Sequence, residues 1–285
     1  MRPEVQLLLP TRSLLGEGPV WDARGQLLYW VDIHGKWIHS FCPVQGEHRQ
    51  WSLPVRPSAL AVCTELDRLV VAAEHGLGFF SPSSGEWTPW LELEDRAQWP
   101  LNRTNDGRCA PDGSFWVGTM HDEVAGRTGS LYRIEGSGRV DRVVTDLGIP
   151  NTLAWTNERF YFGDSLDRRV MSFPWGGALE LGEPSDFVVL PEGPACPDGS
   201  ALDSEGRLWT CVWDGGRVEC RSPAGDLIQE VHLPVQRPTS CAFGGANLDR
   251  LFVTSSGQDL PEPNGALFVI DGAAKGREEA RFLSA

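Results

Sequence analysis

The amino-acid sequence predicts an all-β fold, a six-bladed β-propeller with four-stranded antiparallel blades, and three observations carry that prediction. Six short segments, each a polar residue leading a small and mostly apolar strand, recur at intervals of 41 to 47 residues, the span of one four-stranded blade. Most are followed by a turn and a second, more apolar run. No stretch of ten or more residues keeps a 3.6-residue apolar period, which excludes a helical solenoid.

The leading segments begin at Glu17, Ser58, Asn105, Asn151, Asp198 and Thr239, and four of the six follow a proline: Pro57, Pro150, Pro197 and Pro238. The second strands read Leu28–Val31, Leu69–Ala72, Phe115–Gly118, Phe160–Gly163, Leu208–Cys211 and Leu251–Thr254. Turn residues separate the two, as in Pro111-Asp112-Gly113 and Ser204-Glu205-Gly206. Third strands follow at Ser130–Ile134 and Ala266–Ile270, and Gly-containing turns such as Gly136-Ser137-Gly138 lead into the fourth. Val5–Leu9 is expected to complete the last blade together with the C-terminal segment, because a closed propeller leaves no open edge. The whole chain, 1–285, is expected to be one domain without a linker.

Composition agrees. Thirty-two glycines and 21 prolines imply frequent turns, and twelve Trp with twelve Phe suit half-buried pleated surfaces. A net charge of −14 without a basic cluster argues against nucleic acid and against anionic membrane surfaces as partners. Leu7-Leu8-Leu9 is cut short by Pro10, so it fails as a signal peptide or membrane span, and a cytoplasmic location is expected. Seven dispersed cysteines with no C-x-x-C pair read as reduced and mostly buried.

A propeller lines its channel with the first strand of each blade, so the six polar positions gather in a ring at one end. Within it Glu17, Asn151 and Asp198 each offer a metal-facing oxygen, a hard-cation set suited to Ca²⁺, Mg²⁺ or Mn²⁺ rather than to zinc or copper. Each segment taken singly is an ordinary turn signal. Their shared phase changes that, since two carboxylates at one mouth repel unless a cation or a proton compensates them. His121 is a candidate pocket residue, although a lone histidine is more often a satisfied polar group. Trp99, Trp116, Trp155 and Trp213 could stack on a sugar, but most tryptophans of such a repeat are expected to pack between blades.

These segments also carry a family resemblance. Leu15-Gly16-Glu17-Gly18-Pro19-Val20-Trp21, Arg103-Thr104-Asn105-Asp106-Gly107, Gly118-Thr119-Met120, Gly129-Ser130-Leu131-Tyr132, Pro150-Asn151, Pro197-Asp198-Gly199 and Cys241-Ala242-Phe243-Gly244-Gly245 together resemble the senescence-marker/gluconolactonase/regucalcin family of six-bladed propellers. The resemblance covers about residue 14 to about residue 255. It implies a single divalent metal on Glu17, Asn151 and Asp198, with substrate contacts from Arg103 and Asn105. Calcium is the first expectation for the metal, with Mn, Mg, Zn and Fe(II) left open. Glu123 stands where some relatives place an acidic residue near substrate, and Thr152 stands where many carry glycine, a departure expected to crowd the pocket while leaving the ligand in place.

The activity so implied is hydrolysis of a small-molecule sugar lactone to the aldonic acid, by a monomer or small homo-oligomer. Asp198 is the expected catalytic residue, taking a proton from the attacking water. A metal-dependent esterase or phosphotriesterase on the same scaffold, and a non-catalytic binding platform, are the competing expectations.

Overall fold

The computed structural model describes residues 3–99, 101–177 and 181–284. Strands pair into six four-stranded antiparallel sheets, spanning 16–52, 57–92, 102–147, 150–189 and 196–232 in blades 1 to 5. The sixth is composite. Its three strands Pro238–Gly244, Arg250–Ser255 and Leu267–Asp271 are joined at the outer edge by Glu4–Leu9, with Val5 opposite Ile270. The expected closure of the ring by the N-terminal strand is therefore observed. One 3-10 turn, Ser165–Asp167, is the sole helical element among the described residues, and no helix is long and apolar enough to cross a membrane.

Burial follows position in the blade. The inner strand Pro57–Val62 is buried at every residue, because neighbouring blades cover it on both faces, whereas the outer strand Glu47–Ser52 is exposed except at the half-buried His48 and Trp51. Packing between blades supplies the core. Trp116, Trp155 and Phe160 cluster where blades 3 and 4 meet, with Trp155 stacked on Phe160 at 4.7 Å and edge-on to Trp116 at 5.8 Å between ring centroids. Two of the four candidate stacking tryptophans are thus core residues, whereas Trp99 and Trp213 stay half-buried. All seven cysteines are free, and all but Cys196 are buried.

A feature without a sequence signature closes the rear. Residues 272–284 run across the turns that follow the inner strands: Gly276 N donates to Leu248 O (2.7 Å), Ser204 N to Lys275 O (2.8 Å) and Leu283 N to Gly113 O (3.0 Å). Phe282 anchors this strap, fully buried near Phe79 and Trp90. Behind it Arg108 pairs with Glu279 at 2.9 Å.

In blade 1, Trp30, His39 and His48 form a stacked column, and His39 Nδ1 lies 3.1 Å from His48 Nε2. His39 Nε2 is buried without a partner among the described residues. Burial, reinforced by His48, pulls the His39 imidazole from its ordinary 6.5 down to about 3. A depressed histidine contributes stability that is complete above pH 6.5 and is lost as pH falls toward 3. The cost is at most about 1.4 kcal/mol per pH unit. His39→Phe is therefore expected to gain in thermal stability relative to the native chain as pH drops from 6.5 to 4.5; parallel melting curves for the two proteins would contradict it.

Candidate metal centre and mouth of the channel

Glu17, Asn105, Asn151 and Asp198 stand where the inner-strand ladder slips. In blade 1 the register runs Glu17 opposite Val31 and then Val20 opposite Tyr29, so that Gly18 and Pro19 form a bulge; in blade 4 Asn151 pairs with Gly163, and Thr152 and Leu153 bulge. Blades 3 and 5 slip one residue earlier. There Asn105-Asp106 and Asp198-Gly199 are themselves the bulged pairs, between Thr104 and Gly107 and between Pro197 and Ser200. A bulge turns side chains out of the strict alternation of a strand, which is how residues on four blades can address one centre.

The bulge of blades 1 and 4 needs a left-handed residue, met by Gly18 (φ 53°) in one and by Thr152 (φ 51°) in the other. For a β-branched residue that backbone costs of order 1–3 kcal/mol. The surroundings offset it. Thr152 is fully buried, its hydroxyl bonds the Asp198 carbonyl, and it shares a 2.9 Å hydrogen bond with Ser200 Oγ. The residue that departs from the family pattern thus ties the Asn151 bulge to the Asp198 bulge.

A second set of bonds links blades 3, 4 and 5. Asn105 Nδ2 donates to Pro150 O (3.0 Å) and to Asn151 Oδ1 (3.1 Å), while its Oδ1 accepts from Arg103 Nη1 at 2.9 Å. The amide orientation follows from chemistry, since a guanidinium only donates and the Pro150 carbonyl only accepts. Asn151 Nδ2 in turn donates to Ser165 Oγ (2.8 Å), and Ser165 Oγ to Pro197 O (2.5 Å). With its amide nitrogen so committed, Asn151 keeps Oδ1 as the end available to a cation.

Charge is unbalanced here. Burial, then Asp198 and Asp106, raise the Glu17 carboxyl well above its ordinary range, and Arg103 opposes this only weakly. Burial, then Asp106, raise Asp198 likewise, and burial holds Asp106 at about 6 despite Arg108. Glu17 and Asp198 therefore share a low-dielectric space with Asp106, and no adjacent cation offsets their burial. Two carboxylates and an amide oxygen form an all-oxygen set, and no three His, Cys, Asp or Glu side chains converge as metal ligands among the described residues. The donor chemistry and the uncompensated charge fit a hard divalent cation on Glu17, Asn151 and Asp198.

Arg103 is buried at the edge of this cluster. Its Nε donates to Asp122 Oδ1 at 2.7 Å and its Nη1 to Thr104 O at 3.0 Å, as well as to Asn105. Nη2 is left without a protein partner among the described residues, and it is not sealed from solvent. His121 ends the second strand of blade 3 and Glu123 lies on the turn that follows, where its backbone N–H donates to His121 Nδ1 at 3.2 Å. The Glu123 side chain is exposed and takes no hydrogen bond or ion pair among the described residues. Sequence reasoning passed over the residue between them. Asp122 is the carboxylate that meets Arg103, and nothing in the sequence distinguishes it from its neighbours.

The fold and this ring define the class, a closed six-bladed propeller with a buried oxygen-donor cluster at the mouth of its channel. The chain belongs to the SMP-30/gluconolactonase/LRE-like family, whose model matches residues 15–257. It is 35% identical to the pentonolactonase XacC of Haloferax volcanii, over 97% of each chain. It is 32% identical to the L-arabinolactonase of Azospirillum brasilense, over 98% of this chain and 95% of that one. Among solved structures it superposes on the calcium-binding protein regucalcin of Agrobacterium tumefaciens with a TM-score of 0.92 and 29% identity, covering 98% of this chain and 97% of that one.

Proposed function

We propose that this protein is a divalent-metal-dependent lactonase that opens a sugar lactone to the aldonic acid. The observation that supports the reading is the burial of Glu17, Asn151 and Asp198 on three inner strands, with Glu17 and Asp198 raising each other's proton affinity, in a chain whose relatives bear lactonase names. Those three residues would hold the cation. When bound, it supplies Lewis-acid polarisation of a carbonyl and stabilises developing negative charge.

The remaining chemistry belongs to the chain. Asp198, ionised when the cation is bound, accepts the proton of the attacking water at a carboxylate oxygen. The water oxygen bonds the acyl carbon, the acyl C–O bond of the ring breaks, and the released alkoxide takes from Asp198 the proton accepted there. Arg103 orients the substrate by donating from Nη2 to a ring or hydroxyl oxygen, and Asn105 holds both Arg103 and Asn151 in place. His121, at the end of the second strand of blade 3, and Glu123, on the turn after it, are the second-rank substrate contacts. Calcium is the first choice of metal, since the donors are all oxygen and the regucalcin relative is calcium-binding by name. We read the protein as one propeller unit acting in the cytoplasm on a small molecule.

Chelator-stripped protein assayed for acid release on pentono-, hexono- and homoserine lactones, with Ca²⁺, Mn²⁺, Mg²⁺, Zn²⁺ and Fe²⁺ added back in turn, tests the reading. Rescue on a sugar lactone is expected; metal binding with no activity on any lactone would refute it. Arg103→Ala is expected to raise KM for a polyhydroxylated lactone by about ten- to a hundredfold, with a smaller change in kcat. An unchanged KM would remove Arg103 from the substrate site.

A further inference from the structure

We propose that Asp122 is a positioning residue for Arg103, gripping it together with Arg56 of the neighbouring blade so that Nη2 faces the substrate, an inference that rests on reading Arg103 as the substrate-binding group. Asp122 Oδ1 receives Arg103 Nε at 2.7 Å and Arg56 Nη1 at 3.1 Å, and Asp122 Oδ2 lies 2.9 Å from Arg56 Nη2. One carboxylate thus joins guanidiniums from blades 2 and 3. Arg56 is fixed at its other end, with Nε donating to Glu74 Oε1 at 2.6 Å. The backbone repeats the linkage: Glu74 N donates to Arg56 O (3.0 Å), Thr104 N to Glu74 O (2.9 Å) and Asp122 N to Leu101 O (2.8 Å). The carboxylate is therefore held on both sides and cannot follow Arg103 if that residue moves.

The geometry assigns each Arg103 nitrogen a task. Nε meets Asp122, Nη1 meets Thr104 O and Asn105, and Nη2 is what remains. A planar guanidinium fixed at Nε and Nη1 has no rotational freedom left, so Nη2 is aimed by the other two. Without the Asp122 charge, the buried Arg103 guanidinium and the partly buried one of Arg56 lose the carboxylate between them, and the Arg56 charge works against that of Arg103. The contacts that remain are those of Nη1 to Thr104 O and Asn105 Oδ1, and Asn105 in turn bonds Asn151. Loss of Asp122 would then let Arg103 turn about Nη1, misdirect Nη2 and disturb the Asn105–Asn151 bond, damaging both substrate orientation and metal binding. Arg103 is the substrate contact and Asp122 the group that aims it.

The test is a double-mutant cycle between Asp122→Asn and Arg103→Met on the metal-loaded protein, reading KM, kcat and, by titration, the calcium affinity. Asp122→Asn is expected to raise KM for an aldonolactone about ten- to a hundredfold, with kcat changed less, and to weaken calcium binding. In the Arg103→Met background it should change neither. Asp122→Glu should restore part of the loss, and it serves as the test variant if Asp122→Asn does not fold. An equal Asp122→Asn effect with and without Arg103 would show a merely structural residue and overturn the proposal. So would an unchanged KM in Asp122→Asn when Arg103→Met raises it. If Arg103→Met itself leaves KM unchanged in an active lactonase, the reading of Arg103 fails and the positioning role falls with it.

Discussion

Asp198→Ala is expected to abolish lactone hydrolysis, with kcat reduced at least about a thousandfold, because the substitution removes a cation ligand and the proton acceptor together. Asp198→Asn separates the two roles. The amide keeps the volume and one oxygen donor, so metal binding should persist at reduced affinity, whereas a neutral amide cannot take the proton of water. Residual activity in the asparagine variant should therefore stay near that of the alanine variant even at saturating metal. Near-native kcat in Asp198→Asn at saturating metal would leave Asp198 a ligand only and move the proton to another acceptor. The fold makes this comparison clean, since the Asp198 main chain is held independently by the Thr152 hydroxyl and neither substitution touches that bond.

The repeat was readable because each inner strand must satisfy the same two demands, a polar head at the mouth and small side chains between blades, and the chain writes both at a near-constant interval. Strand placement followed closely, down to Val5–Leu9 closing on the last blade. The ladder slip was not readable. Glu17 and Asn151 precede their bulges while Asn105 and Asp198 sit inside theirs, although the four motifs align residue for residue from the strand's far end. A slip of one residue is decided by pairing with the next strand, to which local motifs are blind. Asp122 and Arg56 were hidden for a different reason. Their ion pair joins positions 66 residues apart on different blades, and a single acidic residue on a turn has no local mark of its partner. The rear strap is likewise silent, since 272–284 has neither period and hangs on one phenylalanine. Thr152 shows the converse: its departure from glycine was visible, but the bonds that make it tolerable lie on blade 5.

Removal of the cation should make the protein's stability fall with rising pH, and restoring it should reverse the slope. Glu17, Asp198 and Asp106 each hold a proton more tightly in the fold than in the unfolded chain, where carboxyls titrate near 3.8 to 4.5. For a group whose folded value is raised, the favourable contribution is complete below the unfolded value and is lost as pH climbs through the folded one. In metal-free protein the loss therefore begins near pH 4, continues past the Asp106 value of about 6, and goes further for Glu17 and Asp198, which are raised well above their ordinary values. A divalent cation binds the ionised forms and displaces their protons, so its stabilisation should grow over the same range. At a hundredfold excess over Kd it is worth about 2.7 kcal/mol, which for a chain of this size is several degrees in Tm. Urea unfolding of stripped and calcium-loaded protein from pH 4.5 to 8 measures the difference directly. Glu17→Gln should flatten the metal-free profile and abolish most of the calcium effect, because one change removes both a repelling charge and a ligand. If the stripped and loaded profiles run parallel, the carboxylates are not what the cation compensates, and the metal centre must be sought elsewhere in the propeller.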